Sequence, residues 1–141
     1  MSIRFNAPGI WAPFGPFSHG VVLEDGVNVH LKGQIPLAPD GHLQGKGDMA
    51  EQLRQTLENL RSVLGFLGGE MSDIVSLTQY TTDIETFMKA GDVRRAFFAE
   101  PYPITTTIGV ARLYDIDIMV EIAAVAEIPR DRFIAPPRAP S

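Results

Sequence analysis

The chain has 141 residues, 45% of them hydrophobic and 21% charged, with a net charge of −5, the composition of one folded domain that needs no metal or disulfide to hold its core. It has no cysteine, which excludes disulfides, thiolate catalysis and thiolate metal sites, and its three histidines stand singly, without zinc-site spacing. No apolar run reaches ~18 residues, so a membrane-spanning helix is excluded, and seventeen acids against twelve bases argue against broad binding to a phosphate backbone.

The N-terminal Met1-Ser2-Ile3-Arg4 carries no signal-peptide core, which makes the cytoplasm the expected location. Three prolines between Ala7 and Phe17 forbid a helix and predict an irregular arm rich in Gly and aromatic residues. A strand is expected over Ser18–Leu23 and another over Val27–Lys32, with Asp25-Gly26 as the hairpin turn between them. A loop rich in Gly, Pro and Asp runs from Gly33 to Gly47. Asp48 then caps a first helix, and Glu51 is placed to complete a reciprocal capping box. Leu53, Leu57, Leu60, Leu64 and Leu67 recur at helical spacing and predict one core-facing stripe. Gly68-Gly69 ends that helix.

Ile74–Thr82, rich in Val, Thr, Tyr and Ile, reads as a strand. A second helix, capped by Thr82 or Asp83, is expected to reach about Ala99 with Phe87, Ala90, Arg94 and Phe97 on one face. Pro101 and Pro103 stop it. Thr105–Ala111 is the next strand. In the last strand Ile118, Val120, Ile122, Ala124, Ala126 and Ile128 share one face, and Met119, Glu121, Ala123, Val125 and Glu127 the other. The segment from Pro129 holds four prolines and is expected to be a tail, flexible or laid along a neighbour. The domain is therefore residues 1–128 and the tail 129–141. The order β-β-α-β-α-β-β places two helices on one face of a mixed α+β sheet. The other face is too apolar for water, which predicts self-association through it.

Five collinear segments, Gly15-Pro16-Phe17-Ser18, Gly33-Gln34-Ile35-Pro36, Gln55-Thr56-Leu57-Glu58-Asn59, Val110-Ala111-Arg112-Leu113 and Val120-Glu121-Ile122, resemble the YjgF/RidA family over about residues 12–128. The resemblance implies a chorismate-mutase-like α+β fold and a homotrimer with a central barrel. It also implies a small-molecule cleft at each subunit interface and no metal or organic cofactor. It implies hydrolysis of enamines and imines, such as 2-aminoacrylate, to keto acids and ammonia. Such a substrate carries a carboxylate, best held by a bidentate arginine, and its hydrolysis needs a water oriented by a carboxylate.

By the same resemblance Glu121 occupies the place of the family's water-positioning glutamate. Its carboxylate-binding arginine, in a Pro-Ala-Arg segment, is replaced by Thr105 within Pro103-Ile104-Thr105. A cleft tyrosine becomes Phe17, and the small residue before Gly33 becomes Lys32. A cysteine of some members becomes Thr107, and an asparagine of the second helix Gly91. Threonine can donate or accept one hydrogen bond but cannot make the carboxylate fork, so Lys32, beside the Gly33 loop, is the candidate replacement cation. The candidate site is thus Glu121 as catalytic carboxylate, with Thr105, Lys32, Phe17, Gly33 and Thr107 binding substrate. Plain structural alternatives stand beside these: a half-exposed acid for Glu121, a solvated charge for Lys32, and β-propensity for the threonines. His19 is a candidate acid/base or a structural hydrogen-bonding residue, and Arg112 reads as structural. The reading favoured is a specialised imine/enamine deaminase with weak 2-aminoacrylate turnover. Its rivals are a non-catalytic metabolite-binding trimer and, least favoured, an endoribonuclease.

Overall fold

A computed structural model of the chain describes residues 2–138. Six strands and three helices alternate as β1 (Ile3–Phe5), β2 (Gly20–Val22), β3 (Val27–Gln34), α1 (Met49–Phe66), β4 (Ile74–Thr81), α2 (Ile84–Lys89), α3 (Gly91–Phe97), β5 (Ile104–Gly109) and β6 (Val120–Ile128). The main sheet has the order β3-β6-β4-β5. β6 runs antiparallel to both neighbours, and β4 and β5 are parallel. A parallel pair needs a long crossover, and α2 and α3 supply it.

Alternation along β6 buries Val120, Ile122, Ala124, Ala126 and Ile128, and the α1 stripe of Leu53, Leu57, Leu60 and Leu64 is fully buried in the same core. Asp48 caps α1 by accepting the Glu51 amide at 3.2 Å. The expected box is only half made, because the Glu51 carboxylate is engaged by Arg54 at 2.6 and 3.0 Å instead. At the other end the Gly69 amide donates to the Leu64 carbonyl at 2.8 Å. Gly68 has φ +78°, and a Cβ there would also strike the Arg132 carbonyl oxygen. Glycine is thus required twice over at this helix end.

Four expectations are corrected. Asp25-Gly26 joins β2 to β3, but these strands do not pair as a hairpin. β2 pairs with β1 in a separate two-stranded sheet, and β3 pairs with β6. The chain there is drawn onto β6, where the buried Glu127 carboxylate accepts the Glu24 amide at 2.8 Å. β1 itself escaped the sequence reading. Its Arg4 fixes the strand through three backbone carbonyls, those of Pro101, Ser72 and Ile74, at 2.6 to 2.9 Å.

The second helix, capped by Asp83, is divided at Ala90-Gly91 into α2 and α3. Glycine is a poor helix interior, and Ala90 there caps the end of α2 and the start of α3. Finally, the tail packs on the domain itself from Pro129 to Ile134. The Ile134 amide donates to the Leu67 carbonyl at 2.9 Å, and Arg132 grips the buried Asp73 carboxylate at 2.7 and 3.0 Å. Residues 139–141, with the last proline, lie outside the described residues.

Candidate functional site

Glu121 stands on β6 directly opposite Tyr80 of β4. Side chains alternate across a sheet, so it points away from the buried Val120 and Ile122, onto the face that the helices leave open. It is half-buried, and none of the described residues hydrogen-bonds or ion-pairs with its carboxylate. The β3–β6 register shifts between Leu31 and Gln34, and this irregularity brings the Gly33 backbone against Glu121. A Cβ at Gly33 would collide with Glu121 Oε2 and lie 3.0 Å from both Cδ and Cγ. Gly33 therefore shapes the space that Glu121 occupies. Lys32 is exposed beside it, and no described residue forms an ion pair with it.

Thr105 and Thr107 lie elsewhere. They pair in register with Leu77 and Gln79 of β4, both buried, and so face the helical layer. The Thr107 hydroxyl accepts a hydrogen bond from Gln79 Nε2 at 2.9 Å, which leaves its own proton free to donate. Gln79 in turn accepts from Arg94 Nη1 at 3.4 Å. Within the chain the predicted site therefore splits into two groups on opposite faces of the sheet: Glu121 with Gly33 against it on one, Thr105 and Thr107 on the other.

Phe17 belongs to neither group. It lines a depression of about 580 Å³ with Arg4, Ser18, Glu100 and Tyr102. Its ring stacks within a cluster with Trp11 and Phe14, at centroid distances of 5.9 and 5.2 Å. His19 is a hydrogen-bonded residue of the same arm: its Nδ1 accepts the Ala7 amide at 3.0 Å and its ring meets Trp11 edge-on. Gly91 begins α3, and a side chain there would approach Arg95 Nη1 at 3.3 Å.

The sequence places Arg94 on one face of the second helix with Phe87, Ala90 and Phe97, and assigns it no role. An arginine in a stripe otherwise made of Phe and Ala was the available signal. The structure buries this residue to 8% exposure, with its guanidinium carbon 5.4 Å from the centre of the Phe87 ring. Burial, and then the adjacent Arg95 charge, lower its pKa from the ordinary arginine value. No group of His, Asp or Glu among the described residues is arranged to hold a metal. Chemically, the open face offers an unpartnered carboxylate able to orient or deprotonate water, while the β5 side offers hydroxyl and guanidinium donors suited to an anion.

Comparison with known proteins adds the following. The Endoribonuclease L-PSP family model matches residues 7–128. A RutC family protein of Pyrococcus horikoshii is 35% identical over 121 residues, covering 86% of this chain and 91% of that one. A 2-iminobutanoate/2-iminopropanoate deaminase of Dermatophagoides farinae is 31% identical over 116 residues, covering 82% and 88%. The crystal structure of Escherichia coli TdcF with bound serine superposes with a TM-score of 0.66 at 32% identity, covering 86% of this chain and 93% of that one.

Proposed function

The chain belongs to the Endoribonuclease L-PSP, or YjgF/RidA, family, and on that premise we propose that it is a specialised imine/enamine deaminase acting on a small carboxylated metabolite. The observation that carries this reading is the Glu121 carboxylate, unpartnered among the described residues and seated against Gly33 on the open sheet face. In the reaction, Glu121 takes a proton from a water as its oxygen attacks the C=N carbon. Glu121 returns that proton to the nitrogen, and the hydroxyl proton of the resulting amino alcohol then passes to the same nitrogen as the C–N bond breaks, leaving a C=O group and ammonia. An imine is already electrophilic, so general-base help of ordinary size suffices. The deaminase relative and the serine in TdcF both support a small carboxylate-bearing ligand.

The two groups of site residues complete one cleft when the Glu121 face of one subunit meets the Thr105–Thr107 strand of the next. This is the reading of the assembly as a trimer. The half-exposed residues of the open face, among them Thr78, Tyr80, Ala123 and Val125, supply its contact surface. Lys32 and Phe17 would border the cleft. Thr105 in place of the family's arginine predicts weak 2-aminoacrylate turnover. It also sustains a second reading, a trimer that binds metabolites without turning them over. The net charge of −5 disfavours RNA cleavage.

The test is keto-acid release from a panel of imines, 2-iminobutanoate and 2-aminoacrylate included, by wild type and Glu121→Gln. A loss of about 10²–10⁴-fold in the variant is expected for a general base. No turnover on the panel would overturn the deaminase reading, and equal turnover by the variant would overturn Glu121 as its general base.

A further inference from the structure

Arg94 is 8% exposed and packed between α3 and the sheet. An arginine offers five N–H donors in a planar fork and stays charged in proteins. Of these donors, Nη1 makes one long bond, 3.4 Å to Gln79 Oε1, and Nε is buried with no acceptor. No described acid lies within ion-pair distance of it. The adjacent Arg95 charge, of the same sign, acts against it. A buried, unpaired guanidinium is costly, and the fold keeps it without an internal counter-ion. Two other charged side chains are buried among the described residues: Asp73, 7% exposed, is clamped by Arg132 and by the Glu70 amide, and Glu127, 5% exposed, accepts the Glu24 amide.

The surroundings of Arg94 indicate where its counter-ion would come from. Gln79 is fully buried and bridges Arg94 to the Thr107 hydroxyl. Thr107 and Thr105 share one face of β5 and are only half-buried. β5 is an edge strand, so its outer side is open to a ligand or a neighbouring subunit. Through Gln79 the guanidinium thus connects to the Thr107 hydroxyl, and Thr105 lies on the same face of that strand, where the family resemblance expects an arginine. We infer that Arg94 supplies the cation that binds the substrate's carboxylate, reaching from α3 into the space vacated at Thr105, with Gln79 fixing its orientation and the Thr107 hydroxyl donating beside it. The inference rests on the proposed cleft, and it assigns the anion-binding role to Arg94 in preference to the exposed Lys32.

The probes are 2-oxobutanoate, the hydrolysis product of 2-iminobutanoate, and its neutral amide, titrated calorimetrically into wild type, Arg94→Met and Lys32→Met. Arg94→Met should weaken binding of the acid about 10–100-fold, the equivalent of one hydrogen-bonded charged group, and that of the amide less than about threefold. Lys32→Met should leave both nearly unchanged. Restoring a guanidinium from the strand, in Arg94→Met with Thr105→Arg, should recover acid selectivity, which a purely structural role for Arg94 would not allow. If Arg94→Met does not fold, Arg94→Gln keeps a polar contact with Gln79 without the charge and is read in its place. Equal losses for acid and amide, no loss for either, a selective loss in Lys32→Met instead, absence of rescue, or failure of wild type to bind the acid would each overturn the inference. Glu121→Gln separates it from the deaminase reading. That variant should lose turnover while still binding 2-oxobutanoate in an Arg94-dependent way; if it keeps turnover, Glu121 is not the base, and if wild type turns over none of the imines the deaminase reading fails, while the Arg94 result stands in either case.

Discussion

Replacing Gly33 by alanine would test whether Glu121 is held in a working position or merely sits on the sheet. Gly33 does not have a positive φ, so alanine is allowed by the backbone and only the added methyl matters. That methyl meets Glu121 Oε2, with Cδ and Cγ at 3.0 Å. These atoms belong to the end of a flexible side chain that none of the described residues hydrogen-bonds. The carboxylate can therefore swing outward by about 1 Å to ordinary contact, at a rotamer cost of about 0.5–1.5 kcal/mol.

Stability should therefore barely change. Activity should not be spared, because a catalytic group misplaced by about 1 Å commonly loses on the order of 10²-fold in rate. The assay is kcat/KM for keto-acid release beside a thermal melt, for Gly33→Ala, Glu121→Gln and the double variant. The double variant should be no slower than Glu121→Gln, since groups acting as one unit are not additive. Unchanged turnover in Gly33→Ala would refute the positioning argument. So would a melting point that falls in step with the rate, because that would locate the damage in the fold.

Two further outcomes follow from the same contacts. Gln52 is fully buried; it donates to the Gly45 and Asp117 carbonyls at 3.1 and 2.8 Å and accepts the Met119 amide at 2.8 Å. Gln52→Leu would strand all three groups at about 1–3 kcal/mol each, so thermal denaturation should shift downward by on the order of 10 °C. Light scattering of the wild-type protein should give the mass of a trimer, and a monodisperse mass near the 15.4 kDa of one chain would sink the shared-cleft reading.

What the sequence determined by itself was local. The α1 stripe, its Asp48 cap and its Gly68-Gly69 stop are decided by residues within a few positions of one another. The same holds for the alternation that buries one side of β6. Periodicity and capping read such neighbours directly. The Glu121 and Gly33 motifs were legible in the same way, as short segments in a fixed order. What tertiary structure decided was which strands meet. Asp25-Gly26 had the chemistry of a hairpin turn, yet β2 pairs with β1, because Arg4 and Glu127 bind partners about 70 to 100 residues distant. Alternation placed Thr105 and Thr107 on one side of β5. Only the β4 register showed that this side faces the helices while Glu121 faces the other way. The Arg94–Gln79–Thr107 chain joins a helix and two strands. Such a chain of contacts has no spacing in the sequence, because it exists only where a crossover folds a helix back over a parallel pair.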